Sequence, residues 1–433
     1  MSGRVLMVSW LFPPQASIGA KRAERFARHL PASGWRPTVL CRREVPAGQR
    51  DPSHTGFPPE VVIDRGYDHP IFPWLVRHAE GAPRGARPSS PSSPSLARSV
   101  RARVEEALHR AVDALVPMET VILHAPHDAR RIDALAPAHD VLWSTSYPYH
   151  AHLLALRAAR RHRRPFVADL RDPWTPNWVH RRKLAFARWV ERRGERAVIE
   201  GADAVVVTTE ALARVYREMF PAHARKIRAL HNCFEPMALP PRAPRDPAAP
   251  LRVVHFGNVY GPWSLATLFE AVARLRRAGE LPHGIEVANL GKLSDRDRDR
   301  ARALGLEDVI RVEPPMPYAR GIERLRAADL LVLAAWDDPD ARLYIQGKLY
   351  DYLLAGTAFI AETSNPEVAD IVHRTGAGLA VAPGDVSAVV DALRRARDGA
   401  PISLQERDID AVNHFSAPEA TRRLAAIFDE VRR

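Results

Sequence analysis

Just past the middle of the chain, residues 235–250 are so dense in proline that neither a helix nor a central strand can run through them. The same pattern runs on both sides of that break: short apolar stretches of the buried-strand type, each followed by turn residues and an amphipathic helical stretch. Before the break the strand-like runs are 5–9, 37–41, 140–145, 165–169, 202–209 and 226–230; after it they are 251–257, 285–290, 309–312, 330–334 and 358–361. Helical spacing falls between them, over 20–30, 152–161, from 210, over 265–277 and 348–354, and finally over 418–431. Strand–helix alternation of this kind builds parallel sheets with crossover helices. The sequence therefore predicts an α/β chain of two Rossmann-like, doubly wound domains, residues 1–240 and 250–415, with the C-terminal helix of 416–433 packing back on the first. The length of 433 residues agrees, being too great for one ordinary core.

Composition excludes several classes. With 46% hydrophobic and 26% charged residues the chain is globular in type. It has no apolar run long enough to span a bilayer, and Met1 leads straight into a strand-like run with no signal-peptide pattern. Cys41 and Cys233 are far apart and read as free thiols in a reducing cytoplasm. The net charge of +12 comes from arginines spread along the chain and interleaved with glutamates, and no nucleic-acid-binding module stands out, so nucleic acid is not expected as a partner. Residues 81–98, rich in Pro, Ser and Arg, read as a mobile loop, and residues 99–115 as a basic amphipathic helix. That helix gives the expectation of peripheral contact with an anionic membrane at its inner face. The sequence sets no oligomeric state.

Several segments, in chain order, together resemble the retaining GT-B glycosyltransferases of family four. They are residues 8–14 with Gly19, Lys21 and Arg22; 144–152; 169–174; His231-Asn232; 256–258; 328–330; and 348–356. The resemblance covers nearly the whole chain. It implies the GT-B architecture, two Rossmann-like domains facing a central cleft, and transfer of a sugar from a nucleotide-diphosphate sugar to an unidentified acceptor. A UDP-sugar stands ahead of other donors. No cofactor is implied, and anomeric retention follows from the resemblance alone. No Asp-x-Asp pair lies in a fitting donor loop, so no metal is expected.

Each candidate residue also has a plainer reading. Gly19 suits a backbone turned toward a phosphate at a helix N-terminus, or a simple tight turn. Lys21 and Arg22 suit an anionic acceptor or a solvated helix face. His150 and His152 follow a strand end, where α/β folds bind ligands. By resemblance a histidine near here faces the reacting sugar, and His152 matches better than His150. Asp169 reads as architecture; Arg171 and Asp172 form either a loop-setting ion pair with it or, together with Trp174, part of the acceptor site.

The family usually carries two glutamates with seven residues between them, the second holding the ribose diol. Asp351 stands at that second position and Leu343, which accepts no hydrogen bond, at the first, with Asp338 and Asp340 nearby. The family's basic pair is replaced by Asn258 and Trp263, so phosphate charge falls to Lys348, at an expected helix start beside Gly347, and to Arg342. Gly291, Lys292, Glu313 and Met316 are expected near the base. These departures also admit a relative with N- or S-linked coupling or a pseudoenzyme; the architecture admits an epimerase, and the basic 99–115 segment with the net charge admits a non-enzymatic membrane-surface protein.

Overall fold

The computed structural model describes residues 2–45, 50–51, 56–67 and 125–433, apart from 182, 243, 262, 315, 337 and 338. The expected loop at 81–98, the expected helix at 99–115 and Asp338 lie outside the described residues. Strands β1 (Gly3–Val8), β2 (Trp35–Arg42), β3 (Val62–Tyr67), β4 (Val141–Thr145), β5 (Phe166–Leu170), β6 (Ala204–Val207) and β7 (Ile227–Ala229) form one parallel sheet in the order β3-β2-β1-β4-β5-β6-β7. Both faces are covered. Leu6, Val8 and Leu142 join the core on one side, and Val5, Met7 and Val141 join that on the other. This two-sided burial is why the strands read as unbroken apolar runs.

The second half repeats the winding. Strands β8 (Leu251–Phe256), β9 (Trp263–Ser264), β10 (Ile285–Leu290), β11 (Ile310–Glu313), β12 (Leu330–Leu333), β13 (Ala335–Trp336), β14 (Phe359–Glu362) and β15 (Gly378–Val381) follow in sequence. Six of them make a parallel sheet ordered β11-β10-β8-β12-β14-β15, while β9 and β13 pair antiparallel beside it. The expected pair of doubly wound sheets is thus present. In each sheet the strand order reverses at one point, between β1 and β4 and between β8 and β12, the place where open α/β sheets bind ligands at their strands' C-terminal ends.

The helices that shape the site are α1 (Ile18–His29), α2 (His150–His162), α3 (Ala185–Gly201), α4 (Glu210–Met219), α5 (Ala266–Arg277), α6 (Tyr318–Arg326), α7 (Lys348–Ala355), α8 (Pro366–Thr375) and α9 (Ala417–Arg432). Helix α9 packs on the first sheet beside α1. Its Phe428 ring lies edge-on to Trp35 at 5.2 Å, and Trp35 Nε1 donates to Asp429 at 3.1 Å. The chain therefore crosses between the sheets twice. Where it crosses, Phe234 N–H donates to the Phe415 carbonyl at 2.9 Å and Ala417 N–H to the Phe234 carbonyl at 2.8 Å. Among the described residues no helix is long and apolar enough to cross a membrane.

Two local expectations shift. Gly19 is not between strand and helix but inside the first turn of α1, because extended Ser17 is the cap. Strand β3, at the sheet edge, is not anticipated from the sequence. It is the least buried strand of its sheet and carries Asp64, Arg65 and Gly66.

Candidate active site between the two sheets

At the second sheet's reversal point, β8 ends beside the start of α7. His255, buried in β8, has Nδ1 2.8 Å from the Val332 carbonyl, and its Nε2 is 3.0 Å from Lys348 Nζ. A carbonyl only accepts, so Nδ1 carries the proton and Nε2 accepts from the lysine. Burial, with the Lys348 charge beside it, holds His255 well below its ordinary range and hence neutral. Lys348 donates a second bond to the Asn258 carbonyl at 3.2 Å, leaving its third N–H for a ligand. Burial lowers Lys348 to about 8, against the pull of Asp351. Gly257, with φ +99°, makes room for the lysine, since a Cβ there would lie 2.9 Å from Lys348 Cε. Tyr352 fixes the strand ends, accepting from Phe256 N–H and donating to the Val332 carbonyl, both at 3.0 Å.

The neighbouring loops are clasped together. Asn258 Oδ1 accepts from Lys292 N–H at 2.9 Å, and a Cβ on Gly291 would strike the Gly257 backbone at 2.7 Å. Gly291 N–H donates to the Glu313 carbonyl at 3.0 Å, while the Glu313 carboxylate is engaged by Arg324. Met316 is half-buried against the core under α6 and α7. Asp351 is buried and accepts from the Tyr318 hydroxyl at 2.6 Å. That hydroxyl also meets Arg25 of α1, so the contact spans both sheets. Burial raises Asp351 above its ordinary carboxylate value although Arg25, Tyr318, Lys21 and Lys348 pull it down.

On the first sheet, a Cβ on Gly19 would lie 2.5 Å from both Arg171 Nη1 and Leu11 Cδ1, so only glycine admits the guanidinium alongside α1. Arg171 grips Asp172 through Nε at 3.1 Å and Nη2 at 2.9 Å, while its buried Nη1 finds no acceptor. Nor does the side chain of Ser17 cap α1. The two sheets meet here: a Cβ on Gly347, the cap of α7, would touch Ile18 Cδ1 at 3.2 Å. Two helix N-termini thus approach one another near one ammonium; Ala20 of α1 and Leu349 and Tyr350 of α7 donate their amides to the Ser17, Gln346 and Gly347 carbonyls, which leaves Ile18, Gly19 and Lys348 as the first-turn amides without such a bond. Helix N-termini set beside an ammonium favour negative charge.

Other expected residues lie elsewhere or are already engaged. Arg22 is buried, bound to Asp169 at 2.8 Å, to the carbonyls of Leu230 and His231 at 3.0 and 3.1 Å, and to Asn232 at 3.2 Å. It braces the crossover and has no capacity for an acceptor, which corrects the ligand reading. Lys21 leans on Glu24 and Asp51 and sits 5.6 Å over the Tyr318 ring. His152 and Trp174 are interior. His152 Nδ1 is 2.7 Å from Ser144 Oγ, burial with His150 nearby lowers it to about 3, and Trp174 stacks on Tyr149 at 4.9 Å. Neither these two nor His150 offers surface to a substrate in this conformation; Asp172, on the same loop as Trp174, does. Arg342 is exposed, its carbonyl held by Asn365 at 3.2 Å, and Leu343 is buried with its carbonyl accepting from Thr209 at 3.1 Å. Sequence reasoning overlooks His255 and Arg25, and takes Tyr318 only as part of the loop after β11 that is expected near the base. Only His255 carries a signal, a histidine near the end of the strand before Gly257.

Residues 19–233 match the glycosyl transferase 4-like domain family. A D-inositol 3-phosphate glycosyltransferase of Nocardiopsis dassonvillei is 28% identical over 161 residues, covering 34% of this chain and 38% of that protein. The chain therefore matches well under half the length of that curated relative. The fold is shared with a sucrose-phosphate synthase from Thermosynechococcus elongatus, with TM-score 0.58, 15% identity, and 99% of this chain and 98% of that one covered. It is shared also with Anabaena HepE in complex with UDP-glucose, with TM-score 0.56, 13% identity, and 99% and 100% covered.

Proposed function

We propose that this chain, a GT-B protein whose residues 19–233 belong to the glycosyl transferase 4-like family, moves a sugar from a nucleotide-diphosphate sugar to an acceptor, with retention of configuration and without a metal. The reading rests on one observation: the N-termini of α1 and α7 approach each other with Lys348 beside them and the buried Arg171 Nη1 behind Gly19. A diphosphate placed there meets amides from both sheets and an ammonium held in register by His255. The leaving diphosphate gains negative charge as the glycosidic bond breaks, and preorganised donors in a cleft that excludes water stabilise that charge most when it is fully developed. Asp351 uses Oδ1 for Tyr318, and Oδ2 is left to accept from a ribose hydroxyl. The neighbour in complex with UDP-glucose supports a UDP-sugar as the first donor to try. The acceptor enters from the side of Asp172. Gly291, Lys292 and Glu313 border the base end, and Gly347 lets the α7 backbone come close to phosphate.

The test is donor turnover. UDP-, GDP- and dTDP-sugars are incubated with the protein in chelator, and nucleotide release is followed. One donor is expected to be consumed by the natural chain and, at matched folding, at least tenfold more slowly by Lys348→Ala. Equal rates for the two proteins, or no donor consumed and no nucleotide raising the melting temperature, contradict the proposal.

A further inference from the structure

Among the described residues, ten large apolar side chains are exposed, and four of them sit together on the first sheet's side: Leu184 at 52%, Phe186 at 67%, Trp189 at 54% and Met219 at 43%. Phe186 and Trp189 stack on one exposed stripe of α3, their ring centroids 6.3 Å apart. Arg192, Arg193 and Arg196 continue that stripe at helical spacing. The helix separates most of its charge by face, although Glu200, near its end, is also exposed and pairs with Arg196 at 3.6 Å. Glu191 and Glu195 point inward, Glu191 to His180 and Lys183, Glu195 to Thr175 and Tyr216, while the arginines point out. A groove of about 410 Å³ runs between Trp189, these arginines and Met219. An arginine-rich surface alone is unremarkable in a chain of net charge +12, but it does not account for aromatic and aliphatic groups exposed at its head.

We propose that this face of α3 docks on an anionic lipid bilayer, with Leu184, Phe186 and Trp189 entering the headgroup boundary and Arg192, Arg193 and Arg196 meeting lipid phosphates. Charge complementarity selects the occupant. A helix with a cationic stripe and an aromatic tip matches an interfacial anchor, and each cation near an anionic surface adds roughly fivefold to binding. A single-stranded nucleic acid fits less well, because the two rings stack on each other and their neighbours are aliphatic. The surface differs from the 99–115 segment singled out in the sequence. Docking would also set the acceptor side toward the bilayer, since Thr175, just past Trp174, donates its N–H to Glu195 of α3 at 2.9 Å. That consequence rests on the glycosyltransferase reading; the docking itself does not.

The experiment is sedimentation of the full chain with vesicles of phosphatidylcholine alone and with 30% phosphatidylglycerol. Binding to the anionic vesicles at least tenfold above the neutral ones, weakening with salt, is expected. Phe186→Ser with Trp189→Ser, and separately Arg192→Glu with Arg193→Glu, should each lower the partition coefficient at least tenfold with melting temperature and UDP binding unchanged. No preference for anionic vesicles, undiminished binding by both variants, or wild-type dimers that these substitutions dissociate would overturn the proposal.

Discussion

Lys348 concentrates the account at the scale of single residues. It is legible in the sequence as one of few lysines in an arginine-rich chain, standing at a helix start. What holds it is not legible, because His255 comes from a strand 93 positions away and its tautomer is set by the carbonyl of a second strand. Replacing His255 by Phe removes one of two acceptors from the ammonium but leaves Val332 with its Tyr352 bond, so the expected loss is mainly in ligand affinity, about three- to tenfold in Kd, with a stability change of about 1 kcal/mol. Gly257→Ala acts on both: at φ +99° and with Cβ against Lys348, it should cost about 1–3 kcal/mol in urea unfolding and displace the lysine. Arg22 carries the opposite lesson. Its neighbours Lys21 and Gly19 suggest a ligand, yet Asp169 and three crossover groups consume it, and those partners lie 147 to 210 residues away, beyond any local pattern.

At the scale of elements, the proposed function gives the helix N-termini the work that family resemblance assigns to a basic pair. They also lock the sheets together. Glu367, in the first turn of α8, accepts from Glu210 N–H at 2.8 Å, from Ala211 N–H at 3.1 Å and from His231 Nε2 at 2.6 Å, so an acid from the second half caps α4 of the first. Burial alone would raise this carboxyl, but the His231 bond and the two amides outweigh it and hold it below its ordinary value. A carboxyl lowered in the folded state stabilises above its unfolded pKa and loses that contribution as pH falls through the folded one. The contact between the sheets should therefore weaken in acid. Glu367→Ala should mimic that loss at neutral pH, lowering stability by about 1–3 kcal/mol and raising the radius of gyration in small-angle scattering. An unchanged scattering profile would remove Glu367 as a latch. The alternation of strands and helices made most elements readable, whereas edge strand β3 and the β9–β13 pair escape because they are short or carry charge.

Over the whole molecule, the two crossings run side by side, joined through Phe234 and Ser416, so relative motion of the sheets must bend both at once. A ligand that touches α1 and α7 together draws on that freedom and stabilises the assembly by mass action, about 2.7 kcal/mol at a hundredfold excess over Kd. The winding of both sheets follows from the sequence, and the cleft between them from the family resemblance. Which groups point into it does not, as buried His152 and Trp174 make plain. The most direct test is calorimetric titration of UDP into the natural chain and into Lys348→Met at pH 7 and again at pH 9. The ammonium, at about 8 without ligand, is raised by bound phosphate, so affinity should be full below pH 8 and fall as pH rises past it. The account predicts Kd ten- to hundredfold weaker in the variant at pH 7, about 1.5–3 kcal/mol, with the gap narrowing at pH 9. Equal affinities at pH 7, or a natural chain whose affinity does not change between the two pH values, would contradict it.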